Sequence, residues 1–366
     1  VTLRKVYLEI TTECNLDCGM CIRHAWSEPA QRMAHGTFQR ILDDLRSTGT
    51  IQTLHFGGFG EPLTHPQCLE FLRQAAQAGL GTELLTNGVL LDQATAAALI
   101  DLGLDRLIVS LDQASLHNDP DFHSQAATVH ANLREVYRQR LVRRASRPEV
   151  VIEFVATRKN FHELPALKRL GLQLGFSRIL VTHLVPYTPE LANDVLYDDW
   201  TTTRRDADGS PWNPAIDLPR MDPRVEVQTV LDRLRASGSD VLYGGAPLSG
   251  GRMYCRFTNE GRVAVTPDGC ISPCLPLLHS HAYYFRGARR EVVAYRLGNV
   301  LQSRLSEVWQ SDTYRAFRAR LRDFRFSPCI DCGGCDLRSA NLEDCHGNEF
   351  PTCGSCLWAA GLVQCP

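Results

Sequence analysis

The sequence predicts a parallel α/β fold followed by a smaller, cysteine-rich domain. Two observations carry this. Six short β-rich runs alternate with helical stretches through the first half of the chain, the rhythm of a parallel sheet covered by helices. Fourteen cysteines are distributed unevenly: Cys14, Cys18 and Cys21 stand together near the start, Cys68 lies alone, and the other ten fall between Cys255 and Cys365. A chain of 366 residues also exceeds a typical single domain.

Taken in order, the β-rich runs are residues 5–11, 53–56, 82–85, 106–111, 150–156 and 178–183. Between them, residues 66–78 open with Pro66 and stop at Gly79, and residues 92–102 begin at an Asp92 N-cap and stop before Gly103. Residues 188–223 lose the pattern and are rich in Pro, Asp and Thr, which reads as a linker or ordered excursion. A helix is expected over 224–236. Residues 262–265, an Asp268-Gly269 turn and Cys270 then read as a hairpin. A helix over 303–322, with apolar Leu305, Val308, Trp309 and Phe317, leads to the last cysteine group. The expected domains are 1–187, a linker at 188–250, and 251–366.

Composition excludes several classes. Hydrophobic content of 44% is ordinary for a globular protein, and a net charge of −2 gives no electrostatic case for nucleic acid or an anionic membrane. No apolar run approaches a membrane span and no signal-peptide pattern opens the chain, so a cytoplasmic protein is expected. In a reducing compartment, cysteines in such number read as metal or cluster ligands rather than disulfides. Cys68, with Leu69, Phe71 and Leu72 on a predicted helix, reads as core.

The first motif is Cys14-x3-Cys18-x2-Cys21, just after an apolar run. Three thiolates are one short of the four that normally hold an iron–sulfur cluster, which leaves one iron open to a small chelating molecule. A zinc site completed by His24 or a distant Cys is the alternative. Ligand sites in parallel α/β folds lie on the loops after the strands, and the conspicuous segments fall there: Gly57-Gly58-Phe59-Gly60-Glu61-Pro62, Thr86-Asn87-Gly88, Val109-Ser110-Leu111-Asp112 and Arg158-Lys159-Asn160.

These motifs resemble the radical S-adenosylmethionine (SAM) family. The resemblance implies a partial (β/α)6 TIM-type barrel whose [4Fe–4S] cluster, on Cys14, Cys18 and Cys21, binds SAM through its open iron and cleaves it to a 5′-deoxyadenosyl radical. It further implies that the Gly58, Phe59, Gly60 and Glu61 segment meets the SAM amino group, with Asn87, Ser110, Asp112 and Asn160 as further cofactor contacts. Met20 stands where relatives often place an aromatic residue against adenine, a contact that a soft thioether can keep. The stretch 115–123 lacks the Arg that many relatives place near the SAM carboxylate, with Arg134 or a His as substitutes.

In the tail, Cys329-x2-Cys332 and Cys353-x2-Cys356 have zinc-ribbon spacing, but zinc would leave the hairpin cysteines without a role. Cys255-x13-Gly269-x4-Cys274, then Ser306-Glu307-Val308-Trp309, then the final cysteines, resembles a SPASM domain, which implies two auxiliary [4Fe–4S] clusters. Family topology implies one on Cys255, Cys274 and Cys356, with Cys270 as a possible fourth ligand. The other falls on Cys329, Cys332, Cys353 and Cys365, leaving Cys335 and Cys345 surplus. Residues 343–366 resemble SPASM proteins associated with tungsten-dependent aldehyde oxidoreductases. The resemblance thus implies a maturase acting on a protein or peptide, with such an oxidoreductase or its cofactor as the candidate, and a reducing donor such as ferredoxin or flavodoxin. Modification of a ribosomally made peptide is an alternative, disfavoured because only 13 residues precede Cys14. A non-catalytic electron-transfer or scaffold protein is another.

Overall fold

The computed structural model describes residues 1–111, 120–197, 215–219, 221, 226–227, 229–230, 240–243, 253–327, 329–330 and 335–366. Strand β1 (Lys5–Leu8) opens the chain. Helix α1 (His35–Thr48) buries Phe38, Ile41, Leu42 and Leu45, the spacing of one helical face, and stops at Gly49 in the left-handed region. After β2 (Thr53–Phe56), helix α2 (Cys68–Gln77) buries Cys68, Phe71 and Leu72. Phe71 stacks on Phe38 with ring centres 4.1 Å apart. Next come β3 (Gly81–Thr86), α3 (Gln93–Asp101), β4 (Arg106–Ser110), α4 (Pro120–Arg143), β5 (Glu149–Ala156), α5 (Leu164–Leu174) and β6 (Arg178–His183). Asp92 caps α3 by accepting the Thr95 N–H at 2.8 Å.

The parallel pattern does not stop at the sixth strand. β7 (Ala215–Leu218), within the stretch 188–223 read as a linker or excursion, and β8 (Asp240–Tyr243), beyond the helix expected over 224–236, continue it. Then follow α6 (Arg256–Glu260), β9 (Arg262–Val265), β10 (Cys270–Ser272), the hairpin β11 (His281–Phe285) and β12 (Ala288–Val292), and β13 (Gly298–Asn299). The expected helix over 303–322 is instead two, α7 (Leu305–Gln310) and α8 (Asp312–Arg322). Ser311 is extended (ψ 146°) and its hydroxyl accepts the Tyr314 N–H, so it closes one helix and caps the next. Most of the helix expected over 224–236 lies outside the described residues.

Two compact units divide the chain: Val1–Glu83 with Pro186–Ala192 and Met253–Ala360, and Leu84–Val185 with Asn193–Arg252 and Gly361–Pro366. In unit one, β1 pairs in parallel with β2 on one edge and with β9 on the other, β9 runs antiparallel to β10, and β10 to β13. In unit two, β4 to β8 pair in parallel in sequence order. Among the described residues no helix is long and apolar enough to cross a membrane.

Unit one carries a buried charge cluster. Glu83 Oε2 takes Lys5 Nζ at 2.6 Å and His55 Nδ1 at 2.9 Å, with all three side chains at most 12% exposed. Burial pushes His55 down to about 4, so it is neutral at pH 7 and donates from Nδ1. Although burial raises Glu83, its hydrogen bond from His55 and the charge of Lys5 hold it well below the usual carboxylate range. Glu83→Gln leaves Lys5 buried without its counter-charge, so a loss of about 3–5 kcal/mol in urea unfolding is expected. Stability equal to the parent would show that the charge is not what holds these strands.

Candidate active site: a pinched cysteine loop and a buried group of thiols

Beyond β1 the chain runs through Glu9 and Ile10 into a loop closed at its base. Thr11 pairs with Arg32 in an antiparallel bridge. The Thr12 N–H donates to Gln31 O at 3.0 Å, and the Gln31 N–H returns to Thr12 Oγ1 at 2.8 Å. Cys14, Cys18 and Cys21 all lie inside this loop, half-buried, with half-buried Met20 among them. The Leu16 N–H points at Cys14 Sγ from 3.4 Å, and the Cys21 N–H donates to Cys18 O at 2.9 Å. Arg23 donates to Leu16 O at 2.6 Å, which holds its guanidinium beside Cys14 and Cys21. Burial pushes the Cys14 thiol up, against the pull of the Leu16 amide and Arg23. Thiolates with amide donors and a cation at hand suit iron–sulfur ligation.

The turn after β2 fits onto this loop. Gly57 N–H donates to Leu8 O at 3.1 Å, and Glu61 N–H to Glu13 O at 2.7 Å. A Cβ on Gly60 would collide with Thr11 O and lie 2.7 Å from Glu13 O, so only glycine permits the approach. A Cβ on Gly58 would meet the Glu9 side chain at 2.6 Å. The buried Glu61 carboxylate accepts the Leu63 N–H at 3.0 Å, capping the short turn at Pro62. Cys14, Cys18, Cys21, Met20, Gly58, Phe59, Gly60 and Glu61 therefore share one neighbourhood in unit one.

Unit two carries the remaining expected SAM contacts. Asn87 Oδ1 accepts the Val89 N–H at 3.0 Å, and Gly88 has φ +77°. Ser110 is half-buried at the end of β4. Asp112, with the stretch 112–119, lies outside the described residues. Asn160 accepts the Thr157 N–H at 2.7 Å and donates to Val155 O at 2.9 Å, so its amide clasps its own loop. Arg134 is exposed on α4.

Sequence reasoning passed over a group in unit one. Glu9, only 1% exposed, accepts the Phe59 N–H on Oε1 at 2.8 Å and meets His279 Nε2 with Oε2 at 2.7 Å. Glu28 Oε2 takes His279 Nδ1 at 2.8 Å, and the Trp26 ring lies 4.2 Å from the imidazole. Burial opposes a charged His279, but the two carboxylates outweigh it and raise its pKa. The available signal was a glutamate inside the apolar run from Val6 to Ile10.

In the tail, Cys353 stands beside the three thiols expected to share a cluster. Cys255, Cys353 and Cys356 all act electrostatically on Cys274, and Cys255 and Cys356 on Cys353, so these four lie together. Burial pushes Cys255, Cys274 and Cys353 up, and Cys356 up to about 11. Backbone amides oppose this: Phe257 and Thr258 at Cys255, Leu277 at Cys274, Trp358 and Ala359 at Cys356. Amides aimed at sulfur fit thiolates bound to iron, because ligation removes the proton that burial favours. Among the described residues no three His, Cys, Asp or Glu side chains converge as a single bare ion requires. The Cys270 sulfur lies 3.0 Å from Arg296 Nη1 and 3.4 Å from Asn299 Nδ2. Cys329 is buried, Cys335 and Cys345 are exposed, and Cys365 belongs to unit two. Cys332 lies outside the described residues.

Gly60→Ala is expected to push the Thr11–Glu13 backbone away and to lower bound iron by up to one cluster per chain, read by iron and sulfide assay. Unchanged iron in the folded variant would mean that the close approach does not set the cysteine loop.

Residues 8–156 match the model of the radical SAM superfamily, and residues 255–336 that of an iron–sulfur cluster-binding domain, SPASM. The chain is 31% identical to the tungsten-containing aldehyde ferredoxin oxidoreductase cofactor-modifying protein of Pyrococcus furiosus, over 100% of this chain and 97% of that one. It is 27% identical to the PqqA peptide cyclase of Gluconobacter oxydans, over 94% of this chain and 88% of that one. Among solved structures, anSMEcpe with bound AdoMet aligns with a TM-score of 0.59 at 16% identity, over 98% of this chain and 93% of that one. Streptococcus suis SuiB bound to S-adenosylmethionine aligns with a TM-score of 0.57 at 16% identity, over 91% of this chain and 71% of that one; both show the fold. Full-length identity above the motifs' own span settles the assignment: the chain belongs to the radical SAM family, as an enzyme of SAM and [4Fe–4S] clusters with a C-terminal SPASM domain.

Proposed function

We propose that this radical SAM enzyme modifies the cofactor, or a protein-bound precursor of the cofactor, of a tungsten-dependent oxidoreductase. The observation that carries this reading is identity to a cofactor-modifying protein along the whole chain rather than over the motifs alone. Cys14, Cys18 and Cys21 would hold the cluster that leaves one iron for SAM. When bound, cluster and SAM supply a 5′-deoxyadenosyl radical for hydrogen abstraction. The turn from Gly58 to Glu61 would orient SAM, with Met20, Asn87, Ser110, Asp112 and Asn160 as its further contacts. Cys255, Cys274, Cys353 and Cys356 would hold one auxiliary cluster, their amides stabilising the thiolates. Cys329 and Cys332, with ligands from Cys335, Cys345 and Cys365, would hold the second. A ferredoxin or flavodoxin would deliver the electron.

Similarity to a peptide cyclase over 94% of the chain supports a second reading, a peptide substrate. Co-expression separates the two. With a tungsten-dependent aldehyde oxidoreductase, the parent chain is expected to change the mass of the bound cofactor and raise the activity, and the Cys14→Ala chain to do neither. An unaltered cofactor, with modification of a short peptide instead, would replace the first reading by the second.

The auxiliary ligand set has its own test. Cys353→Ala is expected to lose one cluster's worth of iron while Cys270→Ala keeps its full content. The reverse pattern would return Cys270 to the ligand set.

A further inference from the structure

We infer that His279 is a positioning residue for the SAM-binding turn, acting through Glu9 and resting on the reading that Gly58 to Glu61 orients SAM. The geometry is a chain of three links. Phe59 N–H, in the middle of the turn, donates to Glu9 Oε1 at 2.8 Å. Glu9 Oε2 is held by His279 Nε2 at 2.7 Å, and His279 Nδ1 by Glu28 Oε2 at 2.8 Å. The Glu9 side chain also fills the space against which Gly58 is packed, so its position sets the path of the turn.

Charge explains why the histidine is needed. The Glu9 and His279 side chains are 0% and 3% exposed. An ionised carboxylate so deeply buried is costly unless a hydrogen-bonded counter-charge accompanies it. Without His279, Glu9 Oε2 would lose its buried partner and the side chain would be free to swing towards water, weakening the bond that Oε1 accepts from Phe59. Glu28, partly exposed, completes the imidazole's second bond and fixes the ring plane, on which Trp26 packs at 4.2 Å. Phe59 meets Trp26 edge-on at 5.6 Å, a second, apolar tie between the turn and the same group. A residue of the cysteine-rich portion thereby organises a turn beside the first cysteine loop.

The test uses the full, iron-loaded chain and two readouts. Amide hydrogen exchange of the peptide covering residues 56–62, without SAM, is expected to quicken by about tenfold or more in His279→Ala, in line with losing a bond to a charged group. His279→Gln, whose amide can still donate to Glu9, is expected to recover most of the protection. SAM affinity, followed by the change SAM makes in the EPR spectrum of the reduced cluster, is expected to weaken in step, with total iron unchanged. Exchange in that peptide equal to the parent would overturn the inference. Faster exchange with unaltered SAM affinity would uphold His279's hold on the turn and refute the turn as the SAM site. If His279→Ala does not fold, Glu28→Gln carries the same comparison, with a smaller expected rise and the same overturning result.

Discussion

The structure of unit one depends on a single strand being hydrogen-bonded along both edges. β1 pairs in parallel with β2 on one side and with β9 on the other, so residues more than 200 positions apart are held to one backbone. The pairing extends past the strand: Glu9 N–H donates to Val265 O at 2.9 Å and Gly57 N–H to Leu8 O at 3.1 Å. These bonds deliver the cysteine loop, the Gly57–Pro62 turn and the start of the β9–β10 hairpin from a common base. A one-residue slip of β1 would turn Tyr7 and Glu9 to the wrong face and carry the cysteines with them.

Electrostatics then decides what the base can support. Two of the carboxylates buried in unit one meet basic side chains: Glu83 pairs with Lys5 and His55, and Glu9 with His279. The thiols show the opposite balance. Around Cys255, Cys274, Cys353 and Cys356 burial outweighs the amides and favours the protonated form. Iron reverses that balance, since a coordinating thiol is deprotonated outright. Short elements such as α6 and β10 bury little by themselves, so metal binding and folding of this portion are expected to be coupled.

Much of this was legible in the sequence because it rests on local chemistry. Five of the six early β-rich runs lie within two residues of observed strands, and the first, predicted to Thr11, ends at Leu8 before turning into the cysteine loop. The Asp92 cap behaves as its position implied, and the Asp268-Gly269 turn closes the β9–β10 hairpin with Gly269 at φ +83°. What sequence reading missed depends on partners far along the chain. β7 and β8 have four residues each, too few for periodicity to register, and β7 lies in the stretch rich in Pro and Asp. Ser311 looked like one polar position in a long helix, although Ser is a natural cap. The grouping of Cys353 with Cys255, and the Glu9–His279 contact, arise from tertiary placement that no spacing rule encodes.

SAM cleavage is proposed at the Cys14, Cys18 and Cys21 loop, seated against the Gly58–Glu61 turn. Its most direct measurement is 5′-deoxyadenosine formation by the anaerobically reconstituted, reduced chain given SAM, beside the Cys14→Ala, Cys18→Ala, Cys21→Ala triple variant with its auxiliary clusters intact. Product from the parent and none from the triple variant is the expected result. Equal amounts from both, or none from a fully iron-loaded parent whose cluster is shown to be reduced, would contradict it.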